Sequence, residues 1–172
     1  VQDIIAPSFT GCPSNQTLGT DDDFCTYTHS GTAWDPTATD NCSVLSKTYT
    51  VSGATTAITV ANTSLAGQVF NSGTTTVTWT ATDPSGNSQT CVFTVTVTDD
   101  QDPNAICQAY TAALQRNGEA VVTPANIDNA SNDNCGIVLY EISKTGGAGT
   151  WASSVTYDCS EIGTPTAYLR VT

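Results

Sequence analysis

The sequence predicts an all-β protein built as two tandem immunoglobulin-like β-sandwiches, the second lacking its closing strand. Three observations carry this prediction. Apolar and threonine residues alternate through Val77, Trp79 and Ala81, and again through Cys91, Phe93, Val95 and Val97. A period of two with one apolar face is the pattern of half-buried strands. Between the two runs stands Asp83-Pro84-Ser85-Gly86-Asn87, whose residues preset or tolerate turn geometry, so the runs form a hairpin. The chain also repeats itself. Val1-Gln2-Asp3-Ile4-Ile5-Ala6-Pro7 returns as Val97-Thr98-Asp99-Asp100-Gln101-Asp102-Pro103, and Ala38-Thr39-Asp40-Asn41-Cys42 returns as Ser131-Asn132-Asp133-Asn134-Cys135. Two landmarks in one order at nearly one offset mark an internal repeat, with units at 1–98 and 99–172.

Taken in order, the first unit opens with a short strand at 17–18 and a second at 24–30, where Phe24, Thr26 and Thr28 oppose Cys25, Tyr27 and His29. Residues 33–41 form a loop carrying Trp34, Pro36 and Asp40-Asn41. Strands follow at 44–51, 57–60 and 66–70, and the hairpin supplies the last two. Roughly seven short strands separated by frequent turns fit a sandwich of the immunoglobulin type. In the second unit, strands are expected at 120–123, 137–143, 151–157 and 166–171, with a flexible Gly146-Gly147-Ala148-Gly149 loop. The nearest helix candidate, 111–116, is short and runs into the turn signal Asn117-Gly118. The final strand matches the first strand of the hairpin, and no counterpart of the turn and closing strand follows it. Val1-Gln2 looks like the tail of a closing strand from a preceding unit. The chain is therefore expected to be a window cut from a longer array.

Composition narrows the function classes. The formal net charge is −12, with only four basic residues, too few to neutralise a phosphate backbone. Nucleic acid and anionic membrane surfaces are excluded as partners, whereas divalent cations are favoured by the surplus of hard oxygen ligands. No apolar run approaches the ~20 residues of a membrane-spanning helix. No signal peptide is evident, in keeping with a mature or excised segment. The seven cysteines form no C-x-x-C motif, and His29 is not spaced with them as a zinc ligand. Cysteines scattered singly among strands point to disulfides in an oxidising, extracellular compartment.

Cys12-Pro13, Pro36-Thr37-Ala38-Thr39-Asp40-Asn41, Phe70-x-x-Gly73-x-x-x-Val77, Asp83-x-Ser85-Gly86-Asn87 and Cys91-x-Phe93-x-Val95 together resemble the hyalin-repeat (HYR) domain pattern. The second unit resembles the immunoglobulin-like repeats of long bacterial surface adhesins through Asp133-Asn134-Cys135-Gly136-Ile137 and Tyr157-Asp158-Cys159-Ser160-x-x-Gly163. Such arrays are typical of Bacteroidota cell surfaces. The resemblance implies a non-catalytic stalk, adhesin or extracellular filament segment whose partners are neighbouring repeats or identical subunits. The rival readings are a filament subunit completed by a donated strand and a carbohydrate-binding module on surface glycans. By the same resemblance Cys12 pairs with Cys91. Cys25 and Cys42 then form the second bridge, Cys135 and Cys159 pair by analogy, and Cys107 stays unpaired because its partner belongs to the missing strand.

Calcium is the sharpest chemical expectation. An immunoglobulin-type sandwich places the chain start, the loop after the second strand and the final hairpin turn at one end. That gathers Asp3, Asp40, Asn41, Asp83 and Asn87, whose carboxylate and amide oxygens suit a six-to-eight coordinate Ca²⁺. The repeat places a second set at Asp99, Asp102 and Asp133, together with Asp100 and Asn134. The competing reading is that Asp-Asn and Asp-x-x-Gly-Asn only satisfy turns through side-chain hydrogen bonds. No enzyme is expected. His29 has no nucleophile-elbow motif near it and is expected at a surface or edge, and Asp21-Asp22-Asp23 is expected as a solvated turn. Trp79 is expected in the core, while Trp34 and Trp151 are left between core packing and sugar stacking.

Overall fold

A computed structural model describes residues 2–172. Its strands are β1 (Ser8–Thr10), β2 (Gln16–Gly19), β3 (Thr26–Thr28), β4 (Thr37–Thr39), β5 (Ser46–Gly53), β6 (Val69–Asn71), β7 (Gly73–Thr82), β8 (Ser88–Thr98), β9 (Glu119–Val122), β10 (Tyr140–Ser143), β11 (Val155–Asp158) and β12 (Tyr168–Val171). A single helical turn, α1 (Pro124–Ile127), follows β9. Proline stands at its first position, where its missing N–H is not needed, and Asn126 Oδ1 accepts from Thr123 N at 2.9 Å. The chain falls into two units, one ending at Asp100 and one running from Gln101 to Thr172. No helix among the described residues is long and apolar enough to cross a membrane.

The first unit is built around the β7–β8 hairpin. Val77 pairs with Phe93, Trp79 with Cys91 and Thr82 with Ser88 in antiparallel register. The alternation legible in the sequence is the alternation of burial: Val77, Trp79 and Ala81 on β7, and Cys91, Phe93, Val95 and Val97 on β8, all turn inward. Strand β5 pairs antiparallel with the outer edge of β7, and β2 adds parallel to β8, giving the order β2-β8-β7-β5. A second small sheet, β3–β6, brings Tyr27 opposite Phe70, and both pack in the same core. Trp34 lies in that core with its ring 3.7 Å from the His29 ring and edge-on to Phe70 and Phe93. Its carbonyl accepts the Trp79 indole N–H at 3.1 Å.

Several expectations change. Residues 57–60 form no strand. Gln68, fully buried, holds this segment by its side chain: Oε1 accepts from Thr59 N at 3.1 Å and Nε2 donates to Ala57 O at 3.1 Å. The strand expected at 24–30 shortens to β3, although His29 N still donates to Gln68 O at 2.9 Å while its ring stacks on Trp34. His29 is thus a core residue, 4% exposed, and not a surface or edge one. Two strands that the sequence did not announce, β1 and β4, pair with each other, Phe9 opposite Ala38.

In the second unit β9 pairs with β11, and β10 with β12, all antiparallel. These pairings repeat β3–β6 and β5–β7 of the first unit in chain order and sense. The core is smaller, centred on Val122, Ile127, Ile142 and Tyr157. The strand expected at 137–143 shortens to β10, since Val138 N and Leu139 N both donate to Thr172 O. Trp151 has the Arg170 guanidinium 4.6 Å from its ring and donates its indole N–H to Gly147 O.

Candidate metal centre

Asp83 anchors the turn after β7. Asp83 is buried at 1% exposure, and its Oδ1 accepts from Ser85 N at 2.8 Å and Asn87 N at 2.9 Å. Gly86 closes the turn at φ +90, open space for a Cβ but a conformation side chains rarely adopt. Asn87 is held by Asp83: its Nδ2 donates to Asp83 Oδ2 at 2.7 Å. The same amide donates to Asp3 O at 3.2 Å. The hairpin turn therefore grips the incoming chain at Asp3, which explains why an Asp and an Asn at this spacing are needed.

Asp3 faces the loop after β4. Asn41 Nδ2 donates to Asp3 Oδ1 at 3.4 Å, and Ile5 N donates to the same oxygen at 3.0 Å. Asp40 Oδ2 accepts from Cys42 N at 2.9 Å, fixing the loop as an Asx turn. One ligand atom each from Asp3, Asp40 and Cys42 lies within 4.8 Å of the others. Asp3 Oδ2 and Asp40 Oδ1 are shielded from solvent and accept no hydrogen bond from any described residue. The Ile5 N–H, then the Cys42 thiol, holds the Asp3 carboxyl below its ordinary 3.8. In return Asp3, by contact and by charge, pushes the Cys42 thiol above its ordinary 9.0.

All five residues expected at the first site thus meet at one end of the unit, but in two roles. Asp83 and Asn87 are consumed by the turn and by the grip on Asp3. Asp3 and Asp40 alone have oxygens to spare. These shielded, unpartnered oxygens fit a hard cation. Cys42 is the one member that sequence reasoning missed. Its thiolate suits a softer ion, and the signal for it was the Asp-Asn-Cys tripeptide itself. The second expected set is divided: Asp99 and Asp100 belong to the first unit, Asp102 and Asp133 to the second. Asp133 repeats the local turn of Asp40, accepting from Cys135 N at 2.8 Å.

Cys12 and Cys91 form a disulfide with Cα atoms 5.9 Å apart. Cys25 and Cys135 are disulfide-bonded as well, whereas Cys42, Cys107 and Cys159 are free, exposed thiols. The expected pairing of Cys25 with Cys42 is therefore not formed. Ser72, just before β7, donates to the Cys25 carbonyl, while Cys42 sits by Asp3 at the far end of that strand. Ten residues of β7 separate the two by about 30 Å, and a disulfide tolerates no more than ~7 Å between Cα atoms. The pairing of Cys135 with Cys159 fails likewise. Cys159 lies beside Gly118 before β9, and Cys135 follows the turn at Asp133 beyond α1.

The HYR domain pattern matches residues 2–97, which takes in the hairpin, its turn and both cysteines of the Cys12–Cys91 bridge. The chain belongs to the HYR domain family. HYR domains are immunoglobulin-like, extracellular, adhesion-type modules without catalytic activity. No curated protein matches the chain closely enough to serve as a relative. Within the HYR domain, Trp34 is buried at 8% exposure, so it offers no platform for stacking on a sugar.

Proposed function

We propose that this chain is a structural and adhesive segment of a secreted or surface-displayed repeat protein, a stalk, adhesin or filament of the Bacteroidota type. Its two units serve as tandem immunoglobulin-like sandwiches, the first locked by Cys12–Cys91. A divalent cation, Ca²⁺ by the chemistry of its hard ligands, stiffens the entry of the chain at Asp3 and Asp40. The observation that carries the cation is the pair of shielded carboxylate oxygens, Asp3 Oδ2 and Asp40 Oδ1, with no donor from any described residue. Two anionic groups so placed repel each other unless a cation or a proton intervenes. Asp83 and Asn87 act from behind, fixing Asp3 in place.

Thermal unfolding in excess Ca²⁺ against chelator, at matched ionic strength, tests the reading. A rise in midpoint with Ca²⁺ that is lost in Asp40→Ala supports it. Cys42→Ser separates the ligand classes: retained Ca²⁺ response fits oxygen ligation, and a response to Zn²⁺ that this variant abolishes assigns the site to a soft ion instead. Equal midpoints with and without either ion reject the site.

A further inference from the structure

The β2-β8-β7-β5 sheet of the first unit has a second face, opposite the core. On β7 this face is Thr74, Thr76, Thr78, Thr80 and Thr82, the residues that alternate with the buried series. The flanking strands β5 and β8 present serine or threonine at every outward position except Val92. The register sets these side chains abreast, with Thr78 between Thr50 of β5 and Val92 of β8. No outward position of the three strands carries a charge. Lys47, the charged residue of β5, points to the other side, where its Nζ donates to Pro36 O at 2.7 Å and lies over the Trp79 ring. The carboxylate of Asp100 folds over Gly19 and marks a corner of the face, where β2 meets the end of β8.

A broad uncharged face is out of keeping with a chain of net charge −12. Copies of such a chain repel one another, and this sheet face is where they can approach at least electrostatic cost. Its composition is graded as an interface is. Val92, the one apolar side chain on it, stands at mid-face and is 54% exposed, with hydroxyls on all sides. An apolar centre inside a polar rim is the anatomy of a protein–protein contact. Four strands wide and as long as the ten residues of β7, the face spans about 600 Å². Two copies together would cover about 1,200 Å², which reaches the size of specific interfaces.

We propose that this face docks on the same face of a second copy of the chain, about a two-fold axis that passes between Thr78 and Val92. The proposal rests on the adhesive reading and names its partner, an identical chain, but it does not depend on the cation at Asp3 and Asp40. A hydroxyl both donates and accepts, so a threonine face complements its own copy, as an isologous contact requires. Two twisted sheets stack with their strands about 30° apart, which brings the two Val92 side chains together beside the axis. The hydroxyls around them bond across the contact or through bridging water. A sugar is a poorer fit, because the face carries no aromatic ring on which one could stack.

Sedimentation of the 172-residue chain tests the contact, with the exposed thiols Cys42, Cys107 and Cys159 capped and a chelator present. Capping removes disulfide-linked pairs, and the chelator removes ion-bridged ones, so the outcome is separate from that of the cation reading. The chain of 17.8 kDa is expected to double in mass reversibly as its concentration rises. Raising the salt to about 0.5 M screens the repulsion between copies and is expected to tighten the pair about tenfold. Val92→Glu sets two like charges against each other at the axis, and Thr78→Glu does so beside it. Both are expected to leave the chain monomeric with its circular dichroism unchanged, since neither side chain enters the core. Ser153→Glu adds the same charge in the second unit and is expected to leave the pair intact. A chain monomeric at every concentration, assembly beyond the dimer, a pair weakened by salt, one that survives Val92→Glu, or equal loss in Ser153→Glu would overturn the proposal.

Discussion

The imidazole of His29 lies flat on Trp34, its rings 5° from parallel, and neither ring nitrogen has a hydrogen-bond partner among the described residues. Burial, first of all, holds its pKa below 6.5, with the charge of Asp35 acting in the opposite direction. The native state therefore keeps His29 neutral, and the unfolded chain takes up the proton more readily. Stability from this residue is fully present above pH 6.5 and declines as pH falls from there through the native value. Urea unfolding of the chain is expected to show a lower midpoint near pH 5 than near pH 7.5, and His29→Phe is expected to flatten the profile over that interval. The carboxylates held low, Asp3, Asp128 and Asp158, respond only below 3.8, so the two windows separate. The sequence placed His29 on the same strand face as Tyr27, which is correct. It could not show that the loop 33–41 folds back and lays Trp34 over that face, because stacking between residues of one loop has no periodic signature.

At the scale of elements, the hairpin was legible because burial and sequence share one period. Its turn was legible because Asp, Gly and Asn occupy it for separate backbone reasons. What failed were short segments held by side chains. Residues 57–60 alternate like a strand, yet Gln68 takes the place of a neighbouring ladder. It satisfies all its polar atoms with Tyr49 Oη, Thr59 N, Ala57 O and Val69 O. Gln68→Leu keeps the volume and removes these bonds, leaving the buried Tyr49 hydroxyl without its acceptor. The variant is expected to lose about 2 kcal/mol of stability in chemical unfolding. Faster hydrogen exchange confined to 54–62 and β5 is the local sign to measure. Strands β1 and β4 were invisible for the opposite reason: three residues each are too few to display a period. At the candidate metal centre, the topology of an immunoglobulin-type sandwich gathered Asp3, Asp40, Asn41, Asp83 and Asn87. It could not tell ligands from turn formers, since an Asx turn and a ligand loop use the same side chains.

Across the whole molecule, the alternating strand pattern announced an all-β fold, and the motifs around Cys12, Asp40, Asp83 and Cys91 announced the HYR family. The pairings expected for Cys25 with Cys42 and for Cys135 with Cys159 were misjudged, since Cys42 and Cys159 are free thiols and sequence order says nothing about which end of a strand a cysteine occupies. The bridge that was anticipated has a mechanical meaning. Cys12 precedes β2 and Cys91 lies within β8, and 79 residues separate them. When the first unit is pulled by its ends, tension entering at Cys12 crosses the covalent bond to Cys91 and leaves through the rest of β8. The enclosed strands β2 to β7 are spared. Rupture of the hydrogen-bonded sheet then cannot release the enclosed chain, whose extended length is about 270 Å. In single-molecule stretching, that increment is expected only after reduction, and its appearance under oxidising conditions would contradict this force path. A unit so wired behaves as a knot of fixed length in a tether, extensible on demand by a change of redox state.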